Sequence, residues 1–125
     1  DPVSGALNEI NTVFTLPPSF AGASTTADVH VHPGGRFLYG SNRGHDSLVI
    51  CLVHDDHSLV TVGCEDCGGE HPRNFMLTAD GHWLLVANQN SSNIVSYRID
   101  AETGSLERVA EFAVPAPVCP CPVGW

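Results

Sequence analysis

Six consecutive residues, Asn42-Arg43-Gly44-His45-Asp46-Ser47, gather a guanidinium, an imidazole, a carboxylate and a hydroxyl in one short stretch. Arg43 offers a planar fork of donors that matches a phosphate or a carboxylate. His45 is a candidate general base by residue type, and Asp46 beside it could orient the ring. A second cluster, His71-Pro72-Arg73-Asn74, adds another imidazole and another guanidinium. Hydrolysis of an anionic ester needs these groups: a grip on the anion, a polarised carbonyl and an activated water. The same stretch also reads as a solvated turn, because Asn and Asp cap strand ends and Gly44 accepts unusual dihedrals.

Other reactive side chains are less pointed. His30 lies in an apolar-alternating run and could face a channel or a core. His32, His54, His57 and His82 sit beside turns and are expected at the surface. Cys51 lies in a strand pattern and reads as a small buried hydrophobe. Cys64-Glu-Asp-Cys67 has C-x-x-C spacing, followed by His71 and by Cys119-Pro-Cys121. A zinc site is conceivable there, but a second C-x-x-C is missing, so the reading is a connecting segment without metal. No nucleophile elbow or serine triad is present, which argues against a covalent acyl intermediate. Neither a metal nor an organic cofactor is demanded.

The elements that must position these groups come from a repeat. Asp28 to Val53 reads DVHVHPGGRFLYGSNRGHDSLVICLV, and Asn74 to Ile99 reads NFMLTADGHWLLVANQNSSNIVSYRI. A shift of 46 positions, 30 to 76 for example, aligns them without a gap. Gly35 falls on Gly81, Phe37 on Trp83, Asn42 on Asn88 and Val49 on Val95. A period of about 40–50 residues with several short strands per unit marks a β-propeller blade. Turn signals at Pro33-Gly34-Gly35 and Asp80-Gly81 separate the first two strands of each copy. The pattern D-x-x-x-G-x-L occurs at Asp100 to Leu106 and again at Asp1 to Leu7, so the chain is expected to open in the last hairpin of an earlier blade. The fold class is therefore all-β: four-stranded antiparallel blades, about two and a half of them. Residues 1–27 are the end of one blade and a connection, 28–70 a blade, and 71–125 a blade with a tail. Such a partial ring needs the remaining blades, or self-association, to cover its edges. Antiparallel pairing places the start of each first strand and the end of each second strand on one rim. Asn42, Arg43, His45, Asp46, His71, Arg73 and Asn88 all fall there.

Composition limits the partners. Hydrophobic residues make up 42% and charged residues 15%, a globular balance, and 12 Gly with 9 Pro suit many tight turns. The net charge is −9, with five Arg and no Lys, which leaves no basic stripe for nucleic acid. No apolar run approaches the length of a membrane span.

Several of these strings resemble one family. They are G-R-F-L-Y-x-S-N-R-G-H-D-S from Gly35, G-x-x-P-R-x-F from Gly69, D-G-x-W-L-L-V-A-N-Q-x-S from Asp80, D-x-x-T-G-x-L from Asp100 and the terminal P-x-P-V-C at Pro115 to Cys119. Together they are similar to the seven-bladed β-propeller lactonases, and the likeness covers essentially the whole chain. It implies a cytoplasmic hydrolase of the pentose phosphate pathway. The implied reaction opens a phosphorylated sugar lactone, 6-phosphoglucono-1,5-lactone, to 6-phosphogluconate. On that basis Arg43, His45 and Asp46 are the catalytic candidates. Arg73, His71, His30, Asn42 and Asn88 are the substrate-binding candidates. A family cyclase acting on carboxylated muconate, or a non-catalytic propeller scaffold, would use the same rim differently. Seven periods of about 46 residues exceed roughly 300 residues, so this length implies reduced activity for the piece alone.

Overall fold

A computed structural model describes residues 3–123. Eight strands form two four-stranded antiparallel sheets. The first holds β1 (Thr25–Val31), β2 (Phe37–Arg43), β3 (Ser47–Val53) and β4 (Leu59–Asp66). The second holds β5 (Pro72–Leu77), β6 (Trp83–Asn88), β7 (Asn93–Ile99) and β8 (Leu106–Ala113). Each sheet is ordered as its strands occur in the chain. Aromatic and β-branched residues fill the central strands, and glycines make the corners. Gly35 and Gly81, equivalent in the repeat, both take left-handed backbone at φ 75 and 73.

The two sheets pack face to face. Phe37, Tyr39, Leu48 and Ile50 of the first meet Leu84, Val86, Val95 and Tyr97 of the second. Equivalent residues therefore point opposite ways. Phe37 is buried, whereas Trp83, in the matching position, is half-buried on the far face. Each blade turns one face back and one forward, so an aromatic conserved between copies serves two different interfaces. Polar ties cross the joint. Tyr39 Oη donates to Gly104 O at 2.9 Å, Tyr97 Oη donates to Asp66 O at 2.7 Å, and His32 Nε2 lies 2.9 Å from Gly81 O. Burial pushes the Tyr39 phenol up to about 12 and raises that of Tyr97 as well.

Three expectations need correction. Residues 3–24 contain no strand; instead of the expected hairpin end, this segment runs along the first sheet, with Asn11 bonded to Leu59 O, Phe14 O to Thr61 and Thr15 O to Asn42. Asp1, where the first D-x-x-x-G-x-L pattern begins, lies outside the described residues, as does Trp125. Asn42 and Arg43, expected in a loop, are the last residues of β2, because β1 begins early enough to pair Thr25 with Arg43. Cys64 lies within β4 rather than in a connection, opposite Val49. No helix among the described residues is long and apolar enough to cross a membrane.

Candidate functional site

The rim expected from topology is present. Thr25 pairs with Arg43, and Pro72 pairs with Asn88, so both first strands start beside the ends of both second strands. The arginines divide along the blades. Arg98 and Arg108 form ion pairs with Glu107 and Glu111, both at 2.6 Å. Arg36 sits over the Phe37 ring and reaches Glu102 O at 3.4 Å. All three lie away from the rim. Arg43 and Arg73 stand on it, and neither has a carboxylate partner among the described residues. Arg43 lies against β1, donating from one terminal nitrogen to Thr26 O at 3.2 Å. Its Nε is buried without a hydrogen-bond partner. Arg73 is exposed.

The expected His45–Asp46 pair does not form. His45 Nδ1 lies 2.7 Å from Ser47 Oγ, and its ring meets Phe20 edge-on at 4.6 Å. Asp46 is left-handed at φ 57, and its Oδ1 accepts the backbone N–H groups of Gly44 and His71, both at 3.0 Å. The carboxylate joins the turn to the second sheet instead of orienting the imidazole. Neighbouring residues in a tight turn diverge, which is the physical reason sequence adjacency misled.

The two rim asparagines are committed to structure. Asn42 Nδ2 donates to Thr15 O at 2.9 Å and Asn88 Nδ2 to Cys67 O at 2.9 Å. Both are buried. His71 has φ 62 and contributes backbone bonds, including its carbonyl to Gln89 N. His30 lies five residues from the start of β1, roughly 15 Å down the strand from the rim. His54, His57 and His82 are exposed, but His32 is part of the blade joint.

Sequence reasoning missed Asp28 and Asn74. They occupy equivalent positions in the repeat, and they bond to each other across the two sheets at 2.5 Å. Asp28 Oδ2 also accepts Phe75 N at 3.2 Å and faces His30 Nε2 at 3.0 Å, while Oδ1 accepts Val29 N. A β-bulge between Thr26 and Val29 brings this carboxylate to the joint. The available signal was the i, i+2 spacing of Asp28 and His30, which places both on one face of a strand.

The cysteines are all free. Cys51 is buried as expected. Cys67 is buried too, its thiol raised to about 12 by burial, with Sγ toward Gly69 O at 3.2 Å. Cys64 is exposed. No metal-holding group of three or more His, Cys, Asp or Glu side chains gathers among the described residues.

Comparison with known proteins gives a consistent result. The family described as "Lactonase, 7-bladed beta-propeller" matches residues 1–121. A 6-phosphogluconolactonase of Formosa agariphila is 48% identical over 92 residues, covering 71% of this chain and 26% of the relative. A crystal structure of a protein from Lactobacillus plantarum superposes with a TM-score of 0.90 at 31% identity, covering 95% of this chain and 35% of that one. A periplasmic gluconolactonase of Pseudomonas aeruginosa gives 0.84 at 31% identity, over 90% of this chain and 32% of that one. The chain thus spans about a third of the length of these relatives.

Proposed function

The chain belongs to the seven-bladed β-propeller lactonase family, and from that premise we propose that it is part of a 6-phosphogluconolactonase. The substrate is a phosphorylated sugar lactone, 6-phosphoglucono-1,5-lactone. The observation that carries this reading is the arginine pair. In a chain of net charge −9, Arg43 and Arg73 share one rim with no counter-charge bonded to them among the described residues. Cations left unpaired beside an inner strand favour a small dianion over a neutral sugar. Arg43 gives one terminal nitrogen to Thr26 O, and the remaining terminal N–H groups of a guanidinium fork suit a phosphate. Relatives named 6-phosphogluconolactonase support the reaction class. A cytoplasmic location belongs to the same proposal, and five free cysteines accord with a reducing compartment.

The test is hydrolysis of the phosphorylated and unphosphorylated lactones by a seven-bladed chain carrying this segment. Phosphorylated lactone should be preferred at least about tenfold, the value of one charge-assisted bond. Equal rates would make it a general gluconolactonase, and ring closure of a carboxylated muconate would make it a cyclase. No turnover of any of them would leave a scaffold. The 125-residue piece alone should hydrolyse little of either lactone, because two four-stranded sheets do not close a ring.

A further inference from the structure

We propose that His30 is the general base of this reaction and that Asp28 is its positioning residue; the inference rests on the lactonase reading above. The two side chains lie on one face of β1, with His30 Nε2 3.0 Å from Asp28 Oδ2. An ionised carboxylate only accepts, so Nε2 carries the hydrogen and Nδ1 carries the lone pair. Asp28 cannot swing away. Asn74 Nδ2 and Phe75 N, both from the next blade, hold the same oxygen, and Val29 N holds the other. Phe75 fixes the imidazole plane by an edge contact at 4.8 Å. The ring is still reachable: 42% of the His30 side chain is exposed, against 20% of Asp28.

His30 opens onto a space of suitable size. A cleft of about 390 Å³ between β1, β5 and the tail is lined by His30, Asn74 and Cys119. Ligand sites are typically about 300–1,000 Å³. Arg73 immediately precedes Asn74 on β5, at the rim end of that strand. Groups able to influence His30 are Asp28 on its own strand, Arg73 on β5, Cys119 of the tail and Tyr39, its register partner on β2.

The step balances without a co-reactant. His30 Nδ1 takes a proton from water while the water oxygen bonds to the lactone carbonyl carbon. The tetrahedral adduct then collapses, the bond to the ring oxygen breaks, and the imidazolium returns its proton to that oxygen. The products are a hydroxyl and a carboxylic acid.

The first experiment is independent of turnover. ¹⁵N NMR of the seven-bladed chain should show His30 protonated at Nε2 when neutral; protonation at Nδ1 overturns the proposal. The second is kinetic. His30→Gln should lower kcat about a hundredfold or more with KM little changed, and should remove the acid limb of the kcat/KM profile. His30→Phe keeps the ring contact with Phe75 and should lose as much, which separates chemistry from packing. Asp28→Asn should lower kcat with KM little changed, and in the same ¹⁵N spectrum the neutral His30 ring should no longer be held to the Nε2–H form. Folded variants at position 30 with unchanged kcat and pH profile overturn the assignment and leave the lactonase reading intact. Absence of lactonase activity in the unsubstituted chain overturns that reading instead, and the reaction step with it.

Discussion

The turn after β2 and the turn after β6 share their anchoring hydrogen bonds but differ in chemistry and at Gly44, which is left-handed at φ 96 where the equivalent Asn90 is not. In both, an Asn at the strand end, last but one in β2 and last in β6, donates to a carbonyl of the segment before the blade, Thr15 O for Asn42 and Cys67 O for Asn88. In both, the fourth residue onward is left-handed, Asp46 at φ 57 and Ser92 at φ 55. The carbonyl of that residue accepts from the chain leaving the blade, Cys67 N in one copy and Val114 N in the other. Its side chain accepts a second amide, His71 N for Asp46 and Ala116 N for Ser92. What differs is Arg43 against Gln89 and His45 against Ser91. Features found twice hold blades together, whereas the residue that occurs once is free to serve a ligand. By this criterion Arg43 and His45 stay candidates for a ligand, whereas Asn42, Asn88 and Asp46 make scaffold bonds that recur in both copies.

The largest expected effect makes the first turn like the second. Arg43→Gln should lower kcat/KM for the phosphorylated lactone by about 1.5–3 kcal/mol of lost charge-assisted bonding, roughly ten- to a hundredfold. The unphosphorylated lactone should be little affected and the melting temperature little moved. Equal losses on both substrates would move Arg43 from the phosphate to the ring ester or to folding.

Next come the asparagines. Asn88→Ala leaves Cys67 O unsatisfied between two complete sheets and should cost about 1–3 kcal/mol in denaturant unfolding. Asn42→Ala removes the tie to Thr15 O in the N-terminal segment and a short-range bond to Ser47 Oγ within the same turn, and should cost less. An equal cost would mean that this segment is as firmly built as a blade.

A smaller effect is expected at Asp46. Asp46→Ser reproduces the second turn and should change stability by no more than about 0.5 kcal/mol, whereas Asp46→Ala should cost about 1 kcal/mol for the bond to His71 N. A large loss of turnover in a stable Asp46→Ser variant would return the carboxylate to the active site.

The smallest effect concerns the turns at the opposite end. Hydrogen bonds from Thr78 and from His82 N hold the Asp80 carboxyl below its ordinary range. A lowered folded pKa means that the stabilisation is present above the unfolded value, about 3.9, and fades as pH falls through the lower folded value. The equivalent residue in the first copy is Gly34, with no carboxylate to titrate. Acid titration of Asp80→Asn by circular dichroism should therefore lose a slight component below pH ~4 that the parent shows. An unchanged acid profile would remove that contribution.

Much of the fold was legible because a blade is local. The 46-residue shift, the turn glycines and the strand-length apolar runs fixed eight antiparallel strands and the rim that carries Arg43 and Arg73. The site was less legible. His45 and Asp46 sit side by side in sequence yet diverge at a left-handed turn residue, while Asp28 and His30, two apart on a strand, converge.

The sequence by itself determined the repeat, the blade and the residue types at each rim, since these follow from period, turn chemistry and short-range pairing. Only the tertiary structure decided which face of each sheet looks at its neighbour and which carboxylate meets which imidazole. The alternation of strand side chains gives two equivalent faces, and packing one blade on the next is what makes them different. That packing joins Asp28 to Asn74 and Phe75, partners 46 and 47 residues away that no local pattern pairs.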